Sequence, residues 1–228
     1  MRESEYRMGE KELKKPHFVF IHGAGGGSWC WYKIKCLMYN SGYTVTCIDL
    51  KGAGIDLSDP NKILSFDEYN KPLIDFVSSL PDHERVGLVG HSAGGLSVTD
   101  ASRKFPKKIA LAVYVAATML KHGFSTEQDV KDDVTLDAML LRPTPVYAFQ
   151  RAEFKERTEV VEKVPLVLYI KTMYDRIVKP ERQDRMIAKW PPSNVYVIES
   201  DHSPNFSNPF ILCGILVNAY ASIIHTRT

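Results

Sequence analysis

The pentapeptide GHSAG at residues 90–94 sets a serine between two glycines. It follows the apolar run RVGLVG, which predicts a strand, and it opens a segment of helical periodicity at residues 93–104. A chain that turns directly from strand to helix forces its central residue into strained backbone angles, and glycines on both sides prevent a collision. Such a turn presents the Ser92 hydroxyl above the edge of the sheet. We therefore interpret Ser92 as a nucleophile.

A serine hydroxyl needs a base, and the chain order that accompanies this turn is serine, acid, histidine. Four of the seven histidines precede Ser92 and do not fit that order. His122 lies in a charged insertion, and His225 lies in the last predicted helix. His202 lies in a loop just after the last predicted strand, at the sheet edge where the carboxyl ends of parallel strands meet. We assign the role of base to His202.

The acid that orients this imidazole is expected after the preceding strand. Asp175 follows the apolar run at residues 166–171, within TMYDR, at the same edge of the sheet. From there its carboxylate would accept a hydrogen bond from the ring N–H of His202. Asp184 lies within a predicted helix and Asp201 is adjacent to His202 in sequence, so both have poorer geometry. We assign the role of acid to Asp175.

An oxyanion formed during acyl transfer needs backbone N–H donors. Ala93, the residue after the nucleophile, supplies one of them in this type of turn. The other is expected from the loop after the first strand, HGAGGG at residues 22–27, whose glycines let the backbone turn inward. Ala24 is the favoured donor there. Ala24 and Ser92 are therefore the predicted substrate contacts.

The glycine-rich loop also permits a competing interpretation as a dinucleotide site. The sequence GAGGG at residues 23–27 follows a predicted strand, and Asp49 ends the next one. However, the sixth position is Ser28 instead of glycine or alanine, and no tyrosine has a lysine four residues later. A nucleotide site would also leave Asp175 and His202 without a role, so we favour the nucleophile interpretation.

The elements that must position these residues alternate along the chain. Alternating strands and helices predict an α/β fold, a mostly parallel, doubly wound sheet of about six strands flanked by helices, with right-handed crossovers. The whole chain, residues 1–228, is predicted to form one domain. Strands are predicted at residues 17–22, 43–50, 85–90, 109–116, 166–171 and 194–199, and helices at 29–40, 66–80, 93–104, 180–189 and 209–224.

One stretch breaks this alternation. Residues 119–163 are charged and prone to form helices, with an acidic cluster at Asp129, Asp132 and Asp133 and no clear strand. The stretch is too long for a simple connection, which favours a short inserted lid, although an irregular surface excursion remains an alternative. Residues 1–16 are charged and are expected to be a flexible lead-in.

Composition excludes several classes of protein. The chain has 228 residues, 44% hydrophobic and 25% charged, with a net charge of +2. This balance is typical of a globular protein and provides no charge excess for binding nucleic acid. No apolar run approaches the ~20 residues that span a bilayer, and the charged N-terminus lacks the apolar core of a secretory signal.

The four cysteines have neither CxxC nor metal-site spacing, which favours reduced thiols and a cytoplasmic location. The sequence leaves the oligomeric state open, a homodimer included.

Several stretches of the sequence resemble the plant methylesterase and hydroxynitrile lyase branch of the α/β-hydrolases. The resemblance is carried by FVFIHGAGGGSWCWYKIKCLM, YTVTCIDLKGAGID, FDEYNKPLIDFVSSLP and LVGHSAGG, and covers roughly residues 17–130 and 135–222. The stretches YIKTMYDRIVKPERQ and WPPSNVYVIESDHSPNFSNPF are similar to the esterases of methyl indole-3-acetate. In that family the serine, acid, histidine and two oxyanion alanines fall on Ser92, Asp175, His202, Ala24 and Ala93.

The resemblance implies an ester hydrolase that cleaves small methyl esters, with no metal or cofactor. Relatives also act on methyl jasmonate and methyl salicylate. Hydroxynitrile lyases have threonine and lysine where this chain has Gly23 and Ser203, and without that lysine cyanide release loses its electrostatic support, so the resemblance favours the esterase. The family has a longer segment between residues 133 and 135. Its absence leaves a second hypothesis open, a ligand-binding or inactive relative with an incomplete lid.

Overall fold

A computed structural model describes residues 16–122, 143–154 and 165–225. Its centre is one six-stranded sheet in which every strand pairs in parallel with its neighbours, in the order β2-β1-β3-β4-β5-β6. The predicted α/β sheet is thereby confirmed, and each boundary lies within two residues of its prediction. The strands are β1 (His17–Ile21), β2 (Thr44–Ile48), β3 (Val86–His91), β4 (Ile109–Val115), β5 (Leu166–Thr172) and β6 (Asn194–Ile198).

Helices cover both faces of the sheet, and the five predicted helices are all present. The α2 helix begins at an N-cap, where the Ser65 side chain accepts a hydrogen bond from the Glu68 amide. Single 3-10 turns occupy Ser28–Trp31 and Pro60–Lys62. The α-helices are α1 (Tyr32–Asn40), α2 (Phe66–Ser79), α3 (Gly94–Lys104), α4 (Val146–Gln150), α5 (Pro180–Lys189), α6 (Pro204–Ser207) and α7 (Pro209–His225).

The hydrophobic core has two halves, one on each face of the sheet. Alternate residues of β1 point to opposite faces, so Val19 and Ile21 pack in one half while Phe18 and Phe20 pack in the other. All residues of β3 and β4 are buried. Burial on both faces explains why these strands are continuous apolar runs without alternation.

Part of the predicted insertion is described. Helix α4 packs against α2, where the rings of Phe149 and Tyr69 lie 4.8 Å apart. The remaining positions, 123–142 and 155–163, lie outside the described residues, as do residues 1–15 of the lead-in predicted at 1–16. The lid therefore stays a prediction. No helix in the described parts of the chain is both long and apolar enough to cross a membrane.

Candidate active site

Ser92 occupies a strained turn between β3 and α3. Its φ is 54°, in the left-handed region that side chains other than glycine rarely adopt. A Cβ atom on Gly90 would lie 2.6 Å from the Gly94 carbonyl oxygen, and one on Gly94 would lie 2.5 Å from the His22 carbonyl oxygen. Only glycine fits at either position. The Ser92 amide also donates to the Val115 carbonyl over 3.2 Å, which ties the turn to the end of β4.

Asp175 and His202 lie together at the carboxyl edge of the sheet. The ring Nδ1 of His202 donates a hydrogen bond to the Asp175 carboxylate over 2.8 Å. The Asp175 side chain is fully buried, while 12% of the His202 side chain is exposed. Because Nδ1 carries this bond, Nε2 is the ring nitrogen left to exchange a proton with a neighbouring group.

Asp175 is held by four further donors. One carboxylate oxygen accepts from the Ile177 and Val178 amides over 2.8 and 2.9 Å. The other accepts from the Thr172 hydroxyl over 3.0 Å and from the Gln183 side-chain amide over 3.3 Å. A site made of donors alone suits an ionised carboxylate, which only accepts hydrogen bonds.

Ser92 and His202 line one cavity of about 160 Å³. No hydrogen bond joins the Ser92 hydroxyl to the His202 ring among the residues described. In enzymes without substrate such bonds are often long, and they tighten when substrate binds. The three residues that the sequence singles out thus meet at one site, Asp175 against His202, and His202 with Ser92 around one cavity.

The glycine-rich loop lies directly against the nucleophile turn. A Cβ atom on Gly23 would lie 2.8 Å from the Ser92 Cβ. Ala24 lines the cavity, and neither its amide nor that of Ala93 donates a hydrogen bond within the described parts of the chain. Both amides are therefore available to donate, and the oxyanion role that the sequence predicts for them stays a prediction.

Asp49 anchors this loop. One carboxylate oxygen accepts from the Ser28 amide over 2.6 Å, and the other accepts from the Ser28 hydroxyl over 3.0 Å. His22 adds a second anchor, since its Nδ1 donates to the Gly23 carbonyl over 2.7 Å and its Nε2 accepts from the Leu50 amide over 3.1 Å. Asp49, the acid of the alternative dinucleotide interpretation, therefore stabilises the glycine-rich loop through its bonds to Ser28. Burial lowers the pKa of His22, which keeps the ring neutral, as both bonds require.

Two aromatic side chains form an aromatic wall on the cavity, Trp29 and Phe206. Their ring centroids lie 6.1 Å apart, and 51% of Trp29 is exposed. Sequence analysis missed this wall, because the two residues come from a 3-10 turn and a short helix at opposite ends of the chain. It also missed Gln183 and Thr172, since nothing in their local sequence indicates that they face a carboxylate.

His91, the second residue of the pentapeptide, gives a testable pH dependence of stability. Burial lowers the pKa of His91 to about 3, and the neighbouring His202 adds to the shift. An unfolded histidine titrates near pH ~6.5, so below that pH the unfolded chain binds a proton that the folded protein excludes. The contribution is present above pH ~6.5 and is lost as the pH falls toward 3, by about 1.4 kcal/mol per pH unit.

Urea unfolding of the wild type and of His91→Gln, measured from about pH 6 to about pH 4.5, checks this slope. The variant is expected to lose less stability per pH unit than the wild type, because it lacks the titrating ring. Equal slopes in the two proteins would contradict a depressed pKa at His91.

Comparison with known proteins agrees with this fold. Residues 18–158 match the alpha/beta hydrolase family. Methylesterase 17 of Arabidopsis thaliana is 48% identical, covering 92% of this chain and 93% of the relative. The crystal structure of the methylesterase MES16 from Arabidopsis superposes with a TM-score of 0.79 at 42% identity, covering 90% of this chain and 99% of that one. Polyneuridine aldehyde esterase superposes with a TM-score of 0.77 at 26% identity, covering 90% and 99%.

The fold, with its strained serine turn and the match to the family, makes the chain a member of the α/β-hydrolases. Within that family it belongs to the plant methylesterases, which are carboxylesterases. The alignment with Methylesterase 17 runs over 258 positions, and 92% of the 228-residue chain is about 210 residues. About 48 positions of that relative therefore have no counterpart here.

Proposed function

We propose that this protein hydrolyses small methyl esters, with Ser92 as nucleophile, His202 as general base and acid, and Asp175 as the residue that orients the imidazole. The observation that carries the proposal is the 2.8 Å hydrogen bond from His202 to the buried Asp175, beside the cavity that His202 shares with Ser92. This arrangement leaves Nε2 of His202 free to accept the serine proton.

The reaction proceeds in two halves. In the first, Nε2 of His202 takes the proton of Ser92 while the serine oxygen attacks the ester carbonyl, and the Ala24 and Ala93 amides hold the oxyanion. The tetrahedral intermediate collapses, His202 returns the proton to the leaving oxygen, and methanol departs. In the second half, His202 takes a proton from water as the water attacks the acyl-enzyme. It then returns that proton to the serine oxygen as the free acid leaves and Ser92 is restored.

The aromatic wall favours a flat aromatic acyl group. Offset or edge-to-face contacts between rings contribute about 0.5–1.5 kcal/mol beyond their buried area. Among the three esters that the family resemblance suggests as substrates, methyl indole-3-acetate and methyl salicylate carry such a ring, and methyl jasmonate does not. We therefore place methyl indole-3-acetate, which also matches the resemblance of the C-terminal stretches, as the preferred substrate.

A panel of these three esters checks the preference. The wild type is expected to have a kcat/KM for methyl indole-3-acetate about tenfold above that for methyl jasmonate, a difference of about 1.4 kcal/mol. Trp29→Ala is expected to lower the value for the indole ester and leave the jasmonate value within about twofold. Tyr39→Ala, which removes an exposed aromatic side chain of α1 that does not line the cavity, is the matched control.

Equal values for the two esters, or equal losses in Trp29→Ala, would contradict the role of the aromatic wall without affecting the proposed ester chemistry.

A ligand-binding role is the second candidate, favoured by the positions that this chain lacks relative to Methylesterase 17. The family resemblance puts the missing segment in the predicted lid, and a shorter lid would leave the site wetter and weaken the electrostatic stabilisation of the oxyanion. Calorimetric binding of indole-3-acetate together with turnover no faster than that of Ser92→Ala would support this candidate. Turnover of methyl indole-3-acetate by the wild type but not by Ser92→Ala would reject this candidate.

A further inference from the structure

We propose that His91 is a positioning residue that holds the proposed base in place through the base's own main chain. A ring nitrogen of His91, Nε2, lies 2.7 Å from the carbonyl oxygen of His202, a residue 111 positions further along the chain. The inference rests on the proposed roles of Ser92 and His202 and adds a residue to that machinery.

The hydrogen bond fixes which nitrogen of His91 carries the proton. A carbonyl oxygen only accepts, so Nε2 must donate, and in a neutral ring Nδ1 is then bare. The charged or titratable groups that act on His91 from neighbouring elements are His202, Asp175 and His22. Burial dominates over all of them and lowers the pKa of His91 to about 3, so the ring stays a neutral donor at every pH at which the protein would work.

The position of His91 links the two proposed reacting groups. It is the last residue of β3 and directly precedes Ser92, whose turn is packed so tightly that glycine alone fits on either side. Its ring packs perpendicular to the buried Trp31 at 6.3 Å and against the His202 ring at 4.7 Å. One side chain thereby connects the strand that carries the nucleophile to the loop that carries the base.

The Asp175 bond alone does not provide this restraint. It orients the imidazole but comes from the loop after β5, which is separated from β3 by β4, so it does not connect His202 directly to β3. A misplacement of about 1 Å in such a site can lower a rate about 100-fold. Losing the His91 donor also leaves the His202 carbonyl without that partner, which favours displacement of the loop toward water.

Two amide variants test whether the donor on residue 91 must extend as far as Nε2 of histidine, because both can donate a hydrogen bond but they differ in length. The side-chain nitrogen of glutamine reaches about as far as Nε2 of histidine, whereas that of asparagine stops near the Nδ1 position. His91→Asn is expected to lower kcat about tenfold with KM within about twofold, and His91→Gln to keep kcat within about threefold. His91→Leu, which has no donor, is expected to behave as His91→Asn does.

The rate of Ser92 labelling by a fluorophosphonate gives a second readout that does not depend on the acyl pocket. It is expected to fall by the same factor as kcat in His91→Asn and His91→Leu. Partial unfolding would lower the labelled amplitude and leave the rate of the folded fraction unchanged, so the two effects are distinguishable. His17→Asn is the matched control. It removes a partly buried histidine that bonds to Glu84 and Thr46 at the start of β1, the end of the strand away from the site.

Unchanged kcat and labelling rate in His91→Asn and His91→Leu would overturn the positioning role while leaving the proposed ester chemistry intact. Equal losses in His91→Gln and His91→Asn would also overturn it, because reach would then make no difference. A wild type that neither turns over methyl esters nor reacts with the fluorophosphonate would overturn the proposed function itself.

Discussion

Replacing Ser92 with alanine is expected to lower kcat/KM for a methyl ester by about 10⁴-fold or more. The oxygen that forms the acyl-enzyme is then gone, and only the oxyanion amides and the binding of the ester remain to assist attack by water. The turn itself should survive, because alanine is smaller than serine and the two flanking glycines are unchanged. Steady-state hydrolysis of methyl indole-3-acetate measures the loss.

Ser97→Ala is the matched control for this variant. Ser97 is a buried serine on α3, five residues along, and does not line the cavity. Its replacement should leave kcat/KM within about twofold, as substitutions remote from a site usually do. If Ser92→Ala kept more than about a hundredth of wild-type activity, a covalent route through Ser92 would be excluded.

Replacing Asp175 with asparagine is expected to lower kcat by about 10³- to 10⁴-fold with KM changed little. The Asp175 carboxylate accepts from the Ile177 and Val178 amides on one oxygen and from the His202 ring on the other. An asparagine must turn its NH₂ toward one of these sets of donors. With NH₂ toward the ring, Nδ1 must become the acceptor and Nε2 then carries the proton, so the imidazole can no longer take one from Ser92.

Asp184→Asn serves as the control for the loss of one carboxylate. Asp184 lies on the neighbouring helix α5 and pairs at the surface with Lys171. Exposed pairs of this kind contribute at most about 1 kcal/mol, and this one has no contact with the cavity, so kcat should stay within about twofold. Equal kcat values in the two variants would mean that Asp175 does not set the tautomer of His202.

The elements that carry the site were predictable because their signals are local. Apolar runs such as residues 85–90 identify buried parallel strands without reference to the rest of the chain. The serine between two glycines requires only its own strand and helix to be interpreted. Asp175 and His202 followed from a topological rule, since loops after parallel strands meet at one edge.

The contacts that refine the site were not predictable in this way. The bond from His91 to the His202 carbonyl joins positions 111 residues apart. The sequence near His91 indicates only that this histidine precedes Ser92, whereas the base is expected to follow the serine. Gln183 bonds to Asp175 from a helix that was correctly predicted but whose facing side chains depend on the packing of α5 on the sheet. Tertiary geometry decides such pairs, and periodicity does not report it.

The role of Asp49 also depends on tertiary contacts that its spacing in the sequence does not show. Its position after β2 fits a ribose-binding acid by spacing alone, and only its two bonds to Ser28 show that it anchors the glycine-rich loop. The aromatic wall likewise depends on the contact between Trp29 and Phe206, which lie far apart in the sequence. Substrate preference is therefore the part of the account furthest from the reach of sequence patterns.

Peptide mapping after reaction with a fluorophosphonate tests the central claim, that one serine is activated by His202 and Asp175. We expect a single adduct, on Ser92, which forms rapidly in the wild type and much more slowly in Asp175→Asn. An adduct on any other residue, or equal labelling rates in the two proteins, would contradict the account.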